Sequence, residues 1–135
     1  MSWYKRAKNN EYPVAGDNIG GFELLDDVPN VGSINASLYD YTILPHIREV
    51  PMSDFDISGK TYNHKDNMYI AELGNIIMKS KKIKPLIVVC DDEGPYILEG
   101  WHRINALYNI GAKTFPALVV VDKENNSLDN GEKEG

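Results

Sequence analysis

Five consecutive residues, Glu99, Gly100, Trp101, His102 and Arg103, put a carboxylate, a glycine, an imidazole and a guanidinium into one short stretch of chain. An apolar run ends on Glu99, and apolar residues at helical spacing begin just after Gly100, so the stretch reads as a strand-to-helix turn. The first backbone N–H groups of a helix lack intrahelical partners, and the macrodipole leaves partial positive charge there. Gly100 has no Cβ and would let a ligand come close to that backbone. An anion suits such a place, and phosphate is the commonest biological one. A cation in the first helical turn opposes the dipole, so His102 and Arg103 make sense where an anion is shared between backbone and side chains. Arg103 brings bidentate geometry toward phosphate oxygens. His102 can donate a hydrogen bond or move a proton near neutral pH. Glu99 can hold Mg²⁺ through one carboxylate together with the phosphates. A purely structural alternative pairs Glu99 with Arg103 across the turn and leaves His102 on the surface.

The elements that must position this turn follow from periodicity. Residues Leu86 to Cys90 form a short β-branched run that predicts a buried strand. Asp91 to Gly94 is a turn and Pro95 to Glu99 the returning strand of a hairpin. The following helix is predicted over Trp101 to Asn109, with Ile104, Leu107 and Tyr108 on one face and Gly111 as its C′ residue. A last strand covers Thr114 to Val121. Upstream, His46 to Val50 predicts a strand stopped by Pro51, and Ser53 to Asp66 a polar loop. A helix capped by Asn67 follows, with Ile70, Leu73 and Ile77 on its apolar face. Gly74 inside it costs about 1 kcal/mol against Ala. The sum is an α+β fold, a small mixed β-sheet with helices packed on it. Residues 1–45, rich in Asn, Gly, Pro and Asp, read as an irregular extension that wraps the core and helps shape the site; Trp3 and Tyr4 would anchor a short helix at its start. Residues 46–121 are the folded domain, and 122–135 an acidic flexible tail.

Bulk properties narrow the function. A net charge of −6 argues against a nucleic-acid or anionic-membrane partner. Lys79, Lys81, Lys82 and Lys84 cluster locally, and read as a solvated helix end because no aromatic residues interleave them. No run is long enough to span a bilayer, and the basic start lacks the apolar stretch of a secretory signal. A single cysteine, Cys90, excludes an internal disulfide and suits a cytoplasmic setting; it reads as a small buried hydrophobe. The histidines show no zinc spacing, and "GDNIGG" is neither a phosphate loop nor a dinucleotide fingerprint.

"REVPMSDF", "IKPLIVV" and "YILEGWHRINALYNIGAKTFPALVV", in that order, resemble the ParB/sulfiredoxin-like superfamily over about residues 47–121. The resemblance implies a nucleotide (ATP, ADP or CTP, with or without Mg²⁺) whose phosphates lie at Gly100, His102 and Arg103. Trp101, Asn105, Arg48, Ser53 and Asn75 are the further residues expected around it. Glu99 stands where kinase-like members carry Asp, which suggests a metal-binding or catalytic carboxylate. Sulfiredoxins place a catalytic Cys where this chain has Trp101, so thiol chemistry is not expected. Partition proteins carry a helix-turn-helix domain after the nucleotide domain; here a polar tail follows, so sequence-specific DNA partition is not expected. The expected function is nucleoside-phosphate binding, with Glu99, His102 and Arg103 as catalytic candidates for phosphoryl transfer or nucleotide hydrolysis. The alternatives are a non-catalytic nucleotide-gated or structural module, of the kind carried by a phage or mobile element, and a nuclease. A nuclease fits the acidic charge less well. A second substrate or protein partner stays open. Arg48 and the Ser53–Asp54 pair are otherwise a surface charge and a turn. Glu72 and Asn75 are otherwise the solvent face of the first helix. Lys60, Tyr62, Asn63 and His64 are either a loop that closes over the ligand or a plain polar loop.

Overall fold

The computed structural model describes residues 12–25, 41–57, 63–91 and 94–122. In chain order the elements are β1 (Asn18–Ile19), β2 (Phe22–Leu24), β3 (Tyr41–Ile43), β4 (Arg48–Pro51), α1 (His64–Ser80), β5 (Lys82–Ile83), β6 (Leu86–Asp91), β7 (Gly94–Glu99), α2 (Trp101–Asn109) and β8 (Thr114–Asp122). A 3-10 turn at Met52–Asp54 follows β4.

β8 is the central strand of the main sheet. One edge pairs parallel with β6, from Leu86↔Ala117 to Cys90↔Val121. The other edge pairs antiparallel with β4 at its start and β3 at its end. β7 lies antiparallel beyond β6, with a register shift between Ile87 and Val88. Successive side chains of a strand point to opposite faces, so uninterrupted apolar runs require burial on both. Leu86, Val88, Cys90, Val119 and Val121 join the large core under the helices, while Ile87, Val89 and Val120 form a second cluster with Leu98. The mixed sheet and its helices are the α+β fold expected from the sequence.

The first helix starts earlier than its periodicity indicated. Asn63, not Asn67, is the N-cap: its side chain accepts from the Asp66 N–H at 2.8 Å. The Asn67 N–H is already helical, bonding the Asn63 carbonyl at 3.0 Å. Ile70, Gly74 and Ile77 are buried along α1. A Cβ on Gly74 would sit 3.4 Å from Ile110 Cγ2, so this glycine lies where α1 crosses the end of α2. The boundaries of α2 match the predicted ones, and Gly111 (φ 86°) closes it with the Ala112 N–H on the Leu107 carbonyl at 3.0 Å. The buried face differs: Ile104, Asn105, Ala106 and Leu107 are inside, whereas Tyr108 is 43% exposed. Helix α2 is packed by the sheet and by α1 together, which widens its buried face past the predicted stripe.

Residues before 46 are more regular than their composition suggests. β1 and β2 form a hairpin, β2 pairs parallel with β5, and β3 belongs to the main sheet. Tyr12 is fully buried and its hydroxyl donates to Asp54 Oδ2 at 2.7 Å. These strands are two or three residues long and draw their stability from partners on β5 and β8, which local composition does not reveal. The expected helix near Trp3, the loop residues Lys60 and Tyr62, and the tail from 123 lie outside the described residues. Among the described residues no helix is long and apolar enough to cross a membrane.

Candidate functional site

The turn between β7 and α2 is built by packing before it is built for a ligand. Gly100 has φ 109°, and a Cβ there would come within 2.8 Å of Leu86 Cγ. The space that glycine was expected to leave for a ligand is filled by a buried leucine. The Ile104 N–H bonds the Gly100 carbonyl at 2.8 Å, which starts α2 at this point.

His102 stands in the first turn of α2 with Nε2 3.1 Å from Asp66 Oδ1; the side chains are 42% and 36% exposed. Its ring meets Tyr69 edge-on at 5.0 Å. Asp66 lies in the first turn of α1, so this pair links the starts of the two helices. With Nε2 protonated the imidazole donates to the carboxylate, and with both nitrogens protonated the contact is an ion pair. Arg103 donates from NH1 to the Pro85 carbonyl at 2.7 Å. Arg103 also borders a cavity of about 440 Å³. Arg103, Lys82, Lys84 and Ser80 form its polar wall; Leu25, Tyr69, Leu73, Ile76 and Ile77 form the rest. Tyr69 therefore belongs both to the His102 contact and to the cavity.

Comparison with solved structures gives a partial likeness to a sulfiredoxin. Sulfiredoxin from Arabidopsis thaliana is similar over 56% of this chain and 84% of that chain, with a TM-score of 0.45 and 22% identity. No protein-family profile matches, and no curated protein matches. The likeness concerns fold, and the site rests on its own residues.

The other expected site residues divide. Asn105 is 7% exposed and its Nδ2 donates to the Trp101 carbonyl at 2.8 Å, a bond within the helix. Trp101 packs against the large core. Asn75 and Glu72 are exposed on α1 and do not line the cavity. Arg48 binds the Pro45 and Tyr12 carbonyls at 3.0 and 3.2 Å, and burial lowers the pKa of its guanidinium. It thus fastens the segment at Tyr12 to β4. Ser53 borders a separate cavity of about 500 Å³ with Met52, Tyr108 and Lys113, at the opposite end of α2 from Arg103. Glu99 ends β7 opposite Ile87, and its side chain lies outside the described residues.

Asp66, Tyr69, Lys82 and Lys84 were not singled out as site residues from the sequence. Asp66 carries no signal, being 36 positions from His102. The lysines do: Lys82 and Lys84 flank buried Ile83 with the two-residue period of a strand. Of the lysine cluster, Lys79 sits in the last turn of α1 and Lys81 is its left-handed cap (φ 58°), 5.5 Å over the Phe22 ring. Only that half is a helix end.

Proposed function

We propose that this chain binds a nucleoside phosphate in the cavity between α1, β5 and the start of α2. The observation that carries the reading is the junction of Arg103 with the apolar face of α1 in a space of about 440 Å³. That volume is within the range of small-molecule sites, which pair apolar walls with a few placed polar groups. The planar Arg103 fork suits phosphate oxygens, and its Pro85 anchor reduces the freedom lost on binding. The base would lie against Tyr69, Leu73 and Ile76. His102 does not line the cavity itself; held by Asp66 through Nε2 and touching Tyr69, it would donate to a phosphate from Nδ1.

Among the described residues no three His, Cys, Asp or Glu side chains gather into a metal site. Mg²⁺ carried in by a nucleotide would need only one or two protein carboxylates, and Glu99 is the candidate. If the chain is an enzyme, the class is phosphoryl transfer or nucleotide hydrolysis. Arg103 and the helix start would stabilise charge on the phosphates, Glu99 would serve metal or base, and His102 would donate or relay a proton. A nucleotide-gated, non-catalytic module is the second reading.

Calorimetric titration with ATP, ADP, CTP and GTP, with and without Mg²⁺, tests the proposal. At least one is expected to bind, and at one hundred times its Kd to stabilise the fold by about 2.7 kcal/mol. Replacing His102 and Arg103 together by Ala should abolish the heat of binding. Failure of every nucleotide to bind, or unchanged binding in that variant, would refute the reading. Product analysis of the bound nucleotide then separates enzyme from module.

A further inference from the structure

We propose that the cavity at the opposite end of α2 from Arg103 is a second binding site, for a small aromatic carboxylate, independent of the nucleotide reading above. The cavity measures about 500 Å³, a volume suited to a small molecule. Its floor is apolar and held in place. Met52 and Ile57 are buried, and the Phe55 ring meets buried Phe115 edge-on at 5.5 Å. Two of its walls are bonded together: the Met52 N–H donates to the Lys113 carbonyl at 2.9 Å, one step past the Pro51↔Thr114 pair of β4 and β8. The third wall is Tyr108, in the last turn of α2. A site fixed in this way loses little freedom when a ligand binds.

Three polar groups sit on this apolar frame: the Ser53 and Tyr108 hydroxyls and the Lys113 ammonium. Among the described residues none of these three side chains has a hydrogen bond or an ion pair. No acidic side chain lines the cavity. Asp54, next to Ser53, accepts from the Tyr12 hydroxyl at 2.7 Å, and Glu49 accepts from Thr114 at 2.8 Å. Asp56, exposed beside Phe55, does not line the cavity either. Lys113 is not needed to close α2. The Gly111 and Ala112 N–H groups already bond the Tyr108 and Leu107 carbonyls, at 3.1 and 3.0 Å.

Charge and surface together choose the ligand. A single ammonium with two neutral hydroxyls matches one negative charge spread over two oxygens, which is a carboxylate. Lys81 lines a neighbouring cavity of about 360 Å³ and lies 5.5 Å over the Phe22 ring, so it adds no second cation here. A phosphate dianion would bring a further charge close to the C-terminal end of α2, where the macrodipole is negative. The Phe55 and Tyr108 rings and the Met52 thioether offer the flat, polarisable surface on which an aromatic body packs.

The test is heteronuclear NMR on the full chain, titrated with phenylacetate at neutral pH and low salt. Saturable shifts are expected at the Ser53, Tyr108 and Lys113 amides, with a Kd on the order of 1 mM, as befits a small fragment. Phenylethanol has a similar body and no charge, and should bind roughly tenfold more weakly. Phenylacetate should lose about the same factor in a Lys113→Gln variant. Lys113 is exposed, so the variant should melt with the wild type. Phenyl phosphate should bind no more tightly than phenylacetate. The inference is overturned by an absence of saturable shifts, by shifts centred on Lys82, Lys84 and Arg103 instead, or by equal binding of the alcohol. Unchanged affinity in Lys113→Gln, or tighter binding of phenyl phosphate, overturns it as well. Each of these outcomes leaves the nucleotide reading to its own titration, because that cavity shares no lining residue with this one.

Discussion

Gly100 shows how one position acquires two constraints. Its φ of 109° is poorly accessible to other residues, and Leu86 occupies the place of a Cβ. Gly100→Ala is expected to cost roughly 2–4 kcal/mol, from overpacking and backbone strain together. Denaturant unfolding without any ligand measures it; an effect confined to ligand binding would refute the packing origin. The His102–Asp66 pair is the opposite case. Both side chains are more than a third exposed, so solvent screens the contact. Asp66→Ala should lower stability by about 1 kcal/mol or less, and a much larger loss would mark the pair as structural. Tyr12→Phe removes a hydroxyl bound to a carboxylate from a buried ring, and should cost about 1–2 kcal/mol in the same unfolding measurement.

Helix α1 is the element on which both the core and the site depend. Its apolar phase at Ile70, Leu73 and Ile77 is plain in the sequence, but its start is not. Asn63 and Asn67 are both capping residues, and the choice is made by whichever amide acceptor meets an unpaired N–H. Here that is Asn63 on the Asp66 N–H, which puts Asp66 in the first turn and within reach of His102. Gly74 can be tested directly. Its added Cβ would make an ordinary contact of 3.4 Å with Ile110, and Ala is the better helix former. Gly74→Ala is expected to raise stability by up to about 1 kcal/mol, seen as a higher melting temperature. A decrease would mean that α1 and α2 cannot separate by even a few tenths of an ångström. β5 was hidden because its two residues sit inside a lysine-rich stretch that composition assigns to a helix end.

At the scale of the whole molecule, charge is distributed in opposition to the total. The chain is acidic, yet Arg103, Lys82 and Lys84 share one cavity wall. A small polyanion can enter such a site, whereas a long one also meets the surrounding negative field. Duplex DNA should therefore show no saturable binding by fluorescence anisotropy at about 0.15 M salt. Saturable binding under those conditions would return the nuclease reading to consideration.

The sequence by itself determined the pieces. The apolar runs at Leu86–Cys90 and Ala117–Val121 had to be buried strands, the spacing after Gly100 had to be a helix, and Gly111 had to end it. These are local properties, fixed by the periods of strand and helix. Tertiary structure decided which pieces meet. The fold sets Ser53 at the opposite end of α2 from Arg103 and ties Arg48 to the carbonyls of Tyr12 and Pro45, and the α1 cap brings Asp66 to His102. Packing of the segment at β5 beside the start of α2 puts Lys82 and Lys84 on the same cavity wall as Arg103. No period records such neighbours, because they depend on the packing of elements distant in the chain.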